Sequence, residues 1–151
     1  MKKLILVLAI YCLAQHSYSQ TQKQSKMKLN AGIITSKLKE TKAFYTQNLG
    51  FGVTFENEFY LLLHTPNQTA ELSFLLPNHP SQQALFHQAF NGKGMYLTLE
   101  VDDVDQWYAK LKKKGIKIDI DIRNEPWGDR HFAIQDPNGI GIDIVKYTVQ
   151  P

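Results

Sequence analysis

The chain has 151 residues, of which 43% are hydrophobic and 21% charged, so it is long enough to bury one core of ordinary size. The formal charge is +3, but two of the 17 basic residues are Lys2 and Lys3, and the remainder is close to neutral. This balance does not favour a nucleic-acid partner. Cys12 is the only cysteine, so the chain that follows it offers no disulfide, thiolate ligand or cysteine nucleophile.

Residues 1–19 have the three-part pattern of a secretory signal peptide. A basic start is followed by an apolar run from Leu4 to Ala14, and small residues precede a cleavage point after Ser19. The apolar run is too short to span a membrane. We therefore expect an exported protein, periplasmic or secreted, whose mature chain begins with a flexible polar leader over residues 20–28.

Residues 29–76 predict a first half-module of one strand, one helix and three further strands. An extended run covers Leu29 to Thr35, and Ser36 is the expected N-cap of the helix that follows. One face of the helix is expected to pack on the sheet and consists of Leu38, Thr41, Tyr45 and Leu49. The helix is expected to end at Gly50 and Gly52. The further strands are expected at 51–56, 58–64 and 70–76.

Residues 95–147 repeat this order of elements. A strand is expected at 95–101, and a helix follows in which Asp103 and Gln106 form a capping box. An apolar stripe along this helix consists of Val104, Trp107, Tyr108 and Leu111. Gly115 is its expected C-cap. Further strands are expected at 117–123, 130–135 and 140–147. The linker, residues 77–94, is expected to hold a short helix between Ser81 and Phe90.

The order β-α-β-β-β in each half predicts an α+β fold made of two half-modules. Neither half can cover its sheet alone, so the two are expected to form an open, curved mixed sheet with helices on its outer face. Alternation within strands decides which side chains point into this trough. In the last strand Ile140, Ile142 and Ile144 share the helix-facing side, and Asp143 lies on the other.

Three motifs make residues 29–147 resemble the vicinal oxygen chelate superfamily, which includes glyoxalases, bleomycin-resistance proteins and extradiol dioxygenases. They are a helix exit, a strand-to-helix step and a tight hairpin: Ala43-Phe44-Tyr45 with Leu49-Gly50-Phe51, Leu99 to Val104, and Asp136-Pro137-Asn138-Gly139. The resemblance implies a small-molecule ligand and a homodimer.

The resemblance also places four residues where metal-binding members hold their ligands: Asn30, Glu71, Tyr96 and Asp143. Both carboxylate positions remain acidic, but both imidazole positions are lost, and imidazole supplies much of the affinity for Zn, Ni and Mn. We therefore expect a protein that sequesters a small organic molecule without a catalytic metal. The alternative is a lyase or isomerase of the glyoxalase I type, in which Asn30, Glu71 and Asp143 hold a divalent ion such as Mn, Ni or Zn.

His131 and Trp127 are the remaining candidate site residues. His131 lies near Asp143 across the closing hairpin and is the candidate for proton transfer if the protein is an enzyme, although a lone histidine is more often a hydrogen-bonded surface residue. Trp127 lies in a Pro-Trp-Gly turn and is either a structural residue at one end of the trough or a stacking wall for a flat ligand. Ligand-binding candidates are thus Asn30, Glu71, Tyr96, Trp127 and Asp143.

Overall fold

A computed structural model describes residues 27–148. The expected signal peptide, residues 1–19, and most of the expected leader lie outside this part. The first module contains β1 (Ala31–Ile34), α1 (Leu38–Leu49), β2 (Gly52–Glu56), β3 (Tyr60–His64) and β4 (Glu71–Leu75). The second contains β5 (Tyr96–Glu100), α2 (Val104–Lys113), β6 (Ile120–Asn124), β7 (Asp129–Gln135) and β8 (Gly141–Tyr147). No helix in residues 27–148 is long and apolar enough to cross a membrane.

Hydrogen bonding divides the strands into two open, four-stranded mixed sheets of the same topology. The order is β1-β4-β3-β2 in the first sheet and β5-β8-β7-β6 in the second. The first strand of each module is parallel to the last, and the other pairs are antiparallel. The predicted α+β class and the order of elements in both modules are therefore confirmed.

The core lies where each helix packs on its sheet, as the alternation predicts. In the first module Tyr45 and Leu49 of α1 are buried together with Leu63 and Phe74 of the sheet. In the second, the core residues include Val104, Leu111, Phe132, Ile134, Ile142 and Ile144. All belong to one continuous apolar cluster, so the helix-facing sides of both modules contribute to a single core. The other side of each sheet, turned away from its helix, is called its open face below.

One local expectation is wrong, and the structure refines two other points. The residue at the N-cap of α1 is Lys37, not Ser36, and no side chain caps the helix. Thr35 lies just before the helix and contacts its N-cap residue. Its hydroxyl accepts a hydrogen bond from the Lys37 amide and donates one to Asn138 Oδ1 at 2.7 Å. The short helix expected between Ser81 and Phe90 is a three-residue 3-10 turn, Ala84–Phe86. In the last strand Val145 shares the side of Asp143 and is 1% exposed, which shows that this side of the sheet is partly covered.

The second helix follows the sequence more closely. Asp103 Oδ1 accepts the Gln106 amide at 2.9 Å, which is one half of the expected capping box. Gly115 has φ 75°, a left-handed conformation that glycine adopts without strain, and the Ile116 amide donates to the Leu111 carbonyl across it. This is the hydrogen bonding of a glycine-terminated helix, as expected.

Candidate functional site

The open face of the second sheet carries most of the predicted site residues. Tyr96 on β5 lies beside Gly141 of β8, and Thr98 lies beside Asp143 in the same parallel pair. On β7, His131 lies beside Val145. The three polar side chains Tyr96, Asp143 and His131 thus occupy neighbouring strands of one face, as alternation predicts.

His131 is held between two carboxylates. Its Nδ1 is 2.7 Å from Asp143 Oδ1, and its Nε2 is 3.0 Å from Glu125 Oε1. Glu125 also accepts a hydrogen bond from Arg123 Nε at 2.5 Å. Burial lowers the pKa of His131, but the hydrogen bonds and charges of Asp143 and Glu125 outweigh it, so the pKa is raised. Both ring nitrogens are therefore engaged, and the protonated form is favoured.

Glu125 is a site residue that the sequence interpretation missed. It follows β6 in a turn in which its amide donates to the Asp129 carbonyl at 2.7 Å and its carbonyl accepts from Gly128. The hydrogen bond from His131, followed by that from Arg123, lowers the pKa of Glu125. The register of β6 against β7 is irregular between Ile120 and Arg123, just before this turn. Strand alternation alone does not predict the position of this carboxylate.

Trp127 lies on the same turn, 67% exposed. Its Nε1 donates to Asp129 Oδ2 at 2.8 Å, which restrains the orientation of the indole. Asp129 lies beside Tyr147 in the β7–β8 pair. The turn is tied to the end of β8 as well, because the Thr148 amide donates to the Gly128 carbonyl at 2.9 Å. Trp127 is therefore a positioned, solvent-facing aromatic side chain.

Carboxylates and aromatic rings meet around Tyr147. Burial, followed by the charges of Asp129, Glu100 and Asp143, raises the pKa of the Tyr147 hydroxyl, with a smaller effect of Tyr96. Tyr96 is 72% exposed. The open face of the second sheet thus combines negative charge with exposed aromatic surface, and we call this set of residues the second-sheet site: Tyr96, Glu100, Glu125, Trp127, His131, Asp143 and Tyr147.

Asn30 and Glu71 belong to the first sheet and are not part of this constellation. Asn30 precedes β1 and is exposed, and Glu71 begins β4. The carboxylate of Glu71 pairs with Lys28 Nζ at 2.8 Å. Among the described residues no hydrogen bond or ion pair links Glu71 to Asp143. No group of three or more His, Cys, Asp and Glu side chains within residues 27–148 is arranged to hold a metal ion.

The comparisons with known proteins agree with this fold. The family model of the Glyoxalase/Bleomycin resistance protein/Dioxygenase superfamily matches residues 29–144, so the chain belongs to that superfamily. A search of the curated proteins finds no match.

Three solved structures show the range of its structural relatives. A bleomycin resistance determinant encoded on the transposon Tn5 is 22% identical, with TM-score 0.60, covering 82% of this chain and 100% of its own. TnmS3, an antibiotic binding protein from Streptomyces sp. CB03234, is 21% identical, with TM-score 0.64 and coverage of 81% and 96%. Lactoylglutathione lyase from Agrobacterium tumefaciens is 17% identical, with TM-score 0.65 and coverage of 81% and 93%. At these identities the likeness shows the fold alone.

Proposed function

We propose that this protein is an exported binding protein that holds a small organic molecule at the second-sheet site without a catalytic metal. The engagement of His131 carries the proposal. A histidine that ligates a metal or takes a proton needs a free nitrogen lone pair. Both nitrogens of His131 face carboxylates, at 2.7 and 3.0 Å, so its predicted role in proton transfer requires this arrangement to open first.

The surface around His131 supports ligand binding. Tyr96 and Trp127 are large aromatic side chains that the fold leaves exposed, and Trp127 is fixed by its hydrogen bond to Asp129. A fixed, exposed indole offers a stacking surface at little cost in conformational entropy. Two of the structural relatives are, by name, a bleomycin resistance determinant and an antibiotic binding protein.

Replacement of Trp127 by alanine tests the proposal. A thermal-shift screen of bleomycin and of aromatic antibiotics selects the probes, and calorimetric titration then measures their affinity for wild type and Trp127→Ala. Loss of one stacking partner should remove up to about 1.4 kcal/mol of binding free energy, which corresponds to about tenfold weaker binding. Leu85→Ala is the control, because Leu85 is a large, exposed apolar residue outside the second-sheet site. A screen without hits, or equal affinities for wild type and Trp127→Ala, would refute the assignment.

The second candidate function is a metal-dependent lyase or isomerase that uses Asn30, Glu71 and Asp143. One observation favours it: both carboxylates keep partly exposed side chains. However, Glu71 of the first sheet pairs with Lys28, and Asp143 of the second sheet pairs with His131. Within one chain the two carboxylates therefore have different partners and do not form one metal site in this arrangement.

Metal analysis separates the two functions. Our proposal predicts no stoichiometric metal in the purified protein and no saturable rise in Tm on addition of Mn, Ni or Zn, because an ion that binds the native state stabilises it by mass action. Asp143→Ala is the matched variant. Stoichiometric metal in the wild type that disappears in Asp143→Ala would establish the metal-dependent alternative instead.

A further inference from the structure

The linker crosses the open face of the first sheet and is fastened at both ends. We call residues 77–90 the strap. At its start the ring of His79 stacks on Phe59, with centroids 3.8 Å apart. At its end the Phe90 amide donates to the Ile34 carbonyl of β1 at 2.8 Å. Between these points His87 Nε2 lies 2.9 Å from the Gln82 carbonyl, so the strap also has hydrogen bonds of its own.

A cavity of about 340 Å³ lies between the strap and the sheet. Ile34, Tyr60 and Leu75 line it from the sheet, and Gln82 and Phe86 line it from the strap. None of its lining residues, all in the described part of the chain, carries a formal charge. Its volume falls at the small end of the range for ligand pockets, ~300–1,000 Å³.

Two small residues make the floor of this cavity suitable for a ligand. Gly32 has no side chain, and a Cβ there would lie 3.2 Å from Ser73 Oγ, so the glycine keeps the space open. Ser73 is 7% exposed and lines the cavity. The contact of its Oγ with the Ala31 carbonyl is 3.4 Å, longer than the usual O–H···O range of ~2.5–3.0 Å. The buried hydroxyl is therefore available to a better partner.

We propose that this cavity, the strap pocket, is a second binding site, which takes a small neutral aromatic molecule with one hydrogen-bonding group. The apolar walls bury the ring, Phe86 covers it, and the Ser73 hydroxyl pairs with the polar group. An ionised ligand is excluded because it would lose its hydration in a pocket without a countercharge. The strap pocket thus differs in chemistry from the acidic second-sheet site and does not depend on it.

Indole and its charged derivatives test the selectivity. Calorimetric titration of the protein should show binding of indole and at least tenfold weaker binding of tryptamine and indole-3-acetate. Methyl NMR locates the site, because indole should shift the resonances of Ile34 and Leu75. No detectable indole binding, or shifts confined to residues of the second sheet, would overturn the proposal. Tryptamine or indole-3-acetate that shifts Ile34 and Leu75 as strongly as indole would overturn it too, because the pocket would then admit a charged ligand.

Two neighbouring residues of the strap provide a matched pair of variants. Phe86, 49% exposed, lines the pocket, whereas Leu85, next to it on the same 3-10 turn, is 82% exposed and does not line it. Phe86→Ala should weaken indole binding roughly fivefold, and Leu85→Ala should leave it unchanged. Ser73→Ala should cost roughly fivefold through the lost hydrogen bond. Equal effects of Phe86→Ala and Leu85→Ala would show that the strap does not cover the ligand.

Discussion

His131 shows how one side chain couples charge to structure in this protein. It has two acidic partners, Asp143 on β8 and Glu125 on the turn that carries Trp127. The imidazolium form can donate to both carboxylates, whereas neutral imidazole has a single N–H and must face one carboxylate with a lone pair. The charge of His131 therefore ties the turn to the sheet.

The pKa of His131 leads to the first prediction at this scale. Because the folded-state value is raised above the unfolded one, the stabilisation is complete below the unfolded pKa of ~6.5. It is lost as the pH rises through the raised pKa of the folded protein. The deficit in Tm of His131→Gln relative to wild type should therefore be larger at pH 6 than at pH 9, as measured by calorimetry.

An NMR titration of the imidazole provides the control. The pKa of His131 should fall in Asp143→Asn and stay unchanged in Glu71→Gln, because Glu71 pairs with Lys28 and not with the imidazole. A deficit in Tm that is independent of pH would contradict the stabilisation of protonated His131 by Asp143 and Glu125.

At the scale of the elements, the hairpin turn at 136–139 joins the two modules. Asp136 is buried, and its carboxylate accepts the amides of Asn138 and Ile140 at 2.8 and 2.9 Å. It also accepts the Tyr45 hydroxyl of α1 at 3.2 Å, across 91 positions of sequence. Burial, followed by this carboxylate, raises the pKa of Tyr45, so the phenol stays protonated and remains a donor. The Asp-Pro-Asn-Gly turn thus connects the second sheet to the first helix.

Asp136→Ala should therefore reduce the free energy of unfolding by about 3 kcal/mol, because buried donors lose a charged acceptor. Denaturant unfolding of the variant measures this loss. Asp103→Ala is the matched control, since Asp103 is an exposed N-cap of α2 and should cost about 1 kcal/mol. Similar losses in the two variants would argue against a central role of the turn.

The sequence predicts those elements whose pattern is local. Period-2 alternation in β8 identifies both the buried isoleucines and the face of Asp143, and the hairpin turn then brings His131, which lies beside Val145 on β7, onto the same face as Asp143. The cap of α1 could not be predicted, because Thr35 is engaged by Asn138, 103 positions away. Glu125 was missed for a similar reason: its position depends on a register irregularity and a turn that alternation does not encode. Residue type and periodicity thus predict the fold and part of the candidate site.

At the scale of the whole molecule, exposed apolar surface and a free strand edge occur together. Tyr96 and Trp127 on the second module and Val53 and Phe55 on the first are exposed. Within residues 27–148, β5 is the outer strand of its sheet and pairs with β8 alone. Exposed apolar patches and unpaired edges are features that partner subunits cover. They support the homodimer that the sequence resemblance predicts.

The last prediction is that the protein forms this dimer through its open sheet faces. Size-exclusion chromatography with light scattering should give twice the mass of one chain for the wild type. Phe55→Glu places a charge on an exposed apolar position of the first sheet and should shift the equilibrium towards monomer, because the burial of an unpaired charge is costly. Lys113→Glu, on the exposed side of α2, should leave the mass unchanged. A wild-type protein that stays monomeric at high concentration would refute the prediction, and a Phe55→Glu dimer would move the interface away from the first sheet.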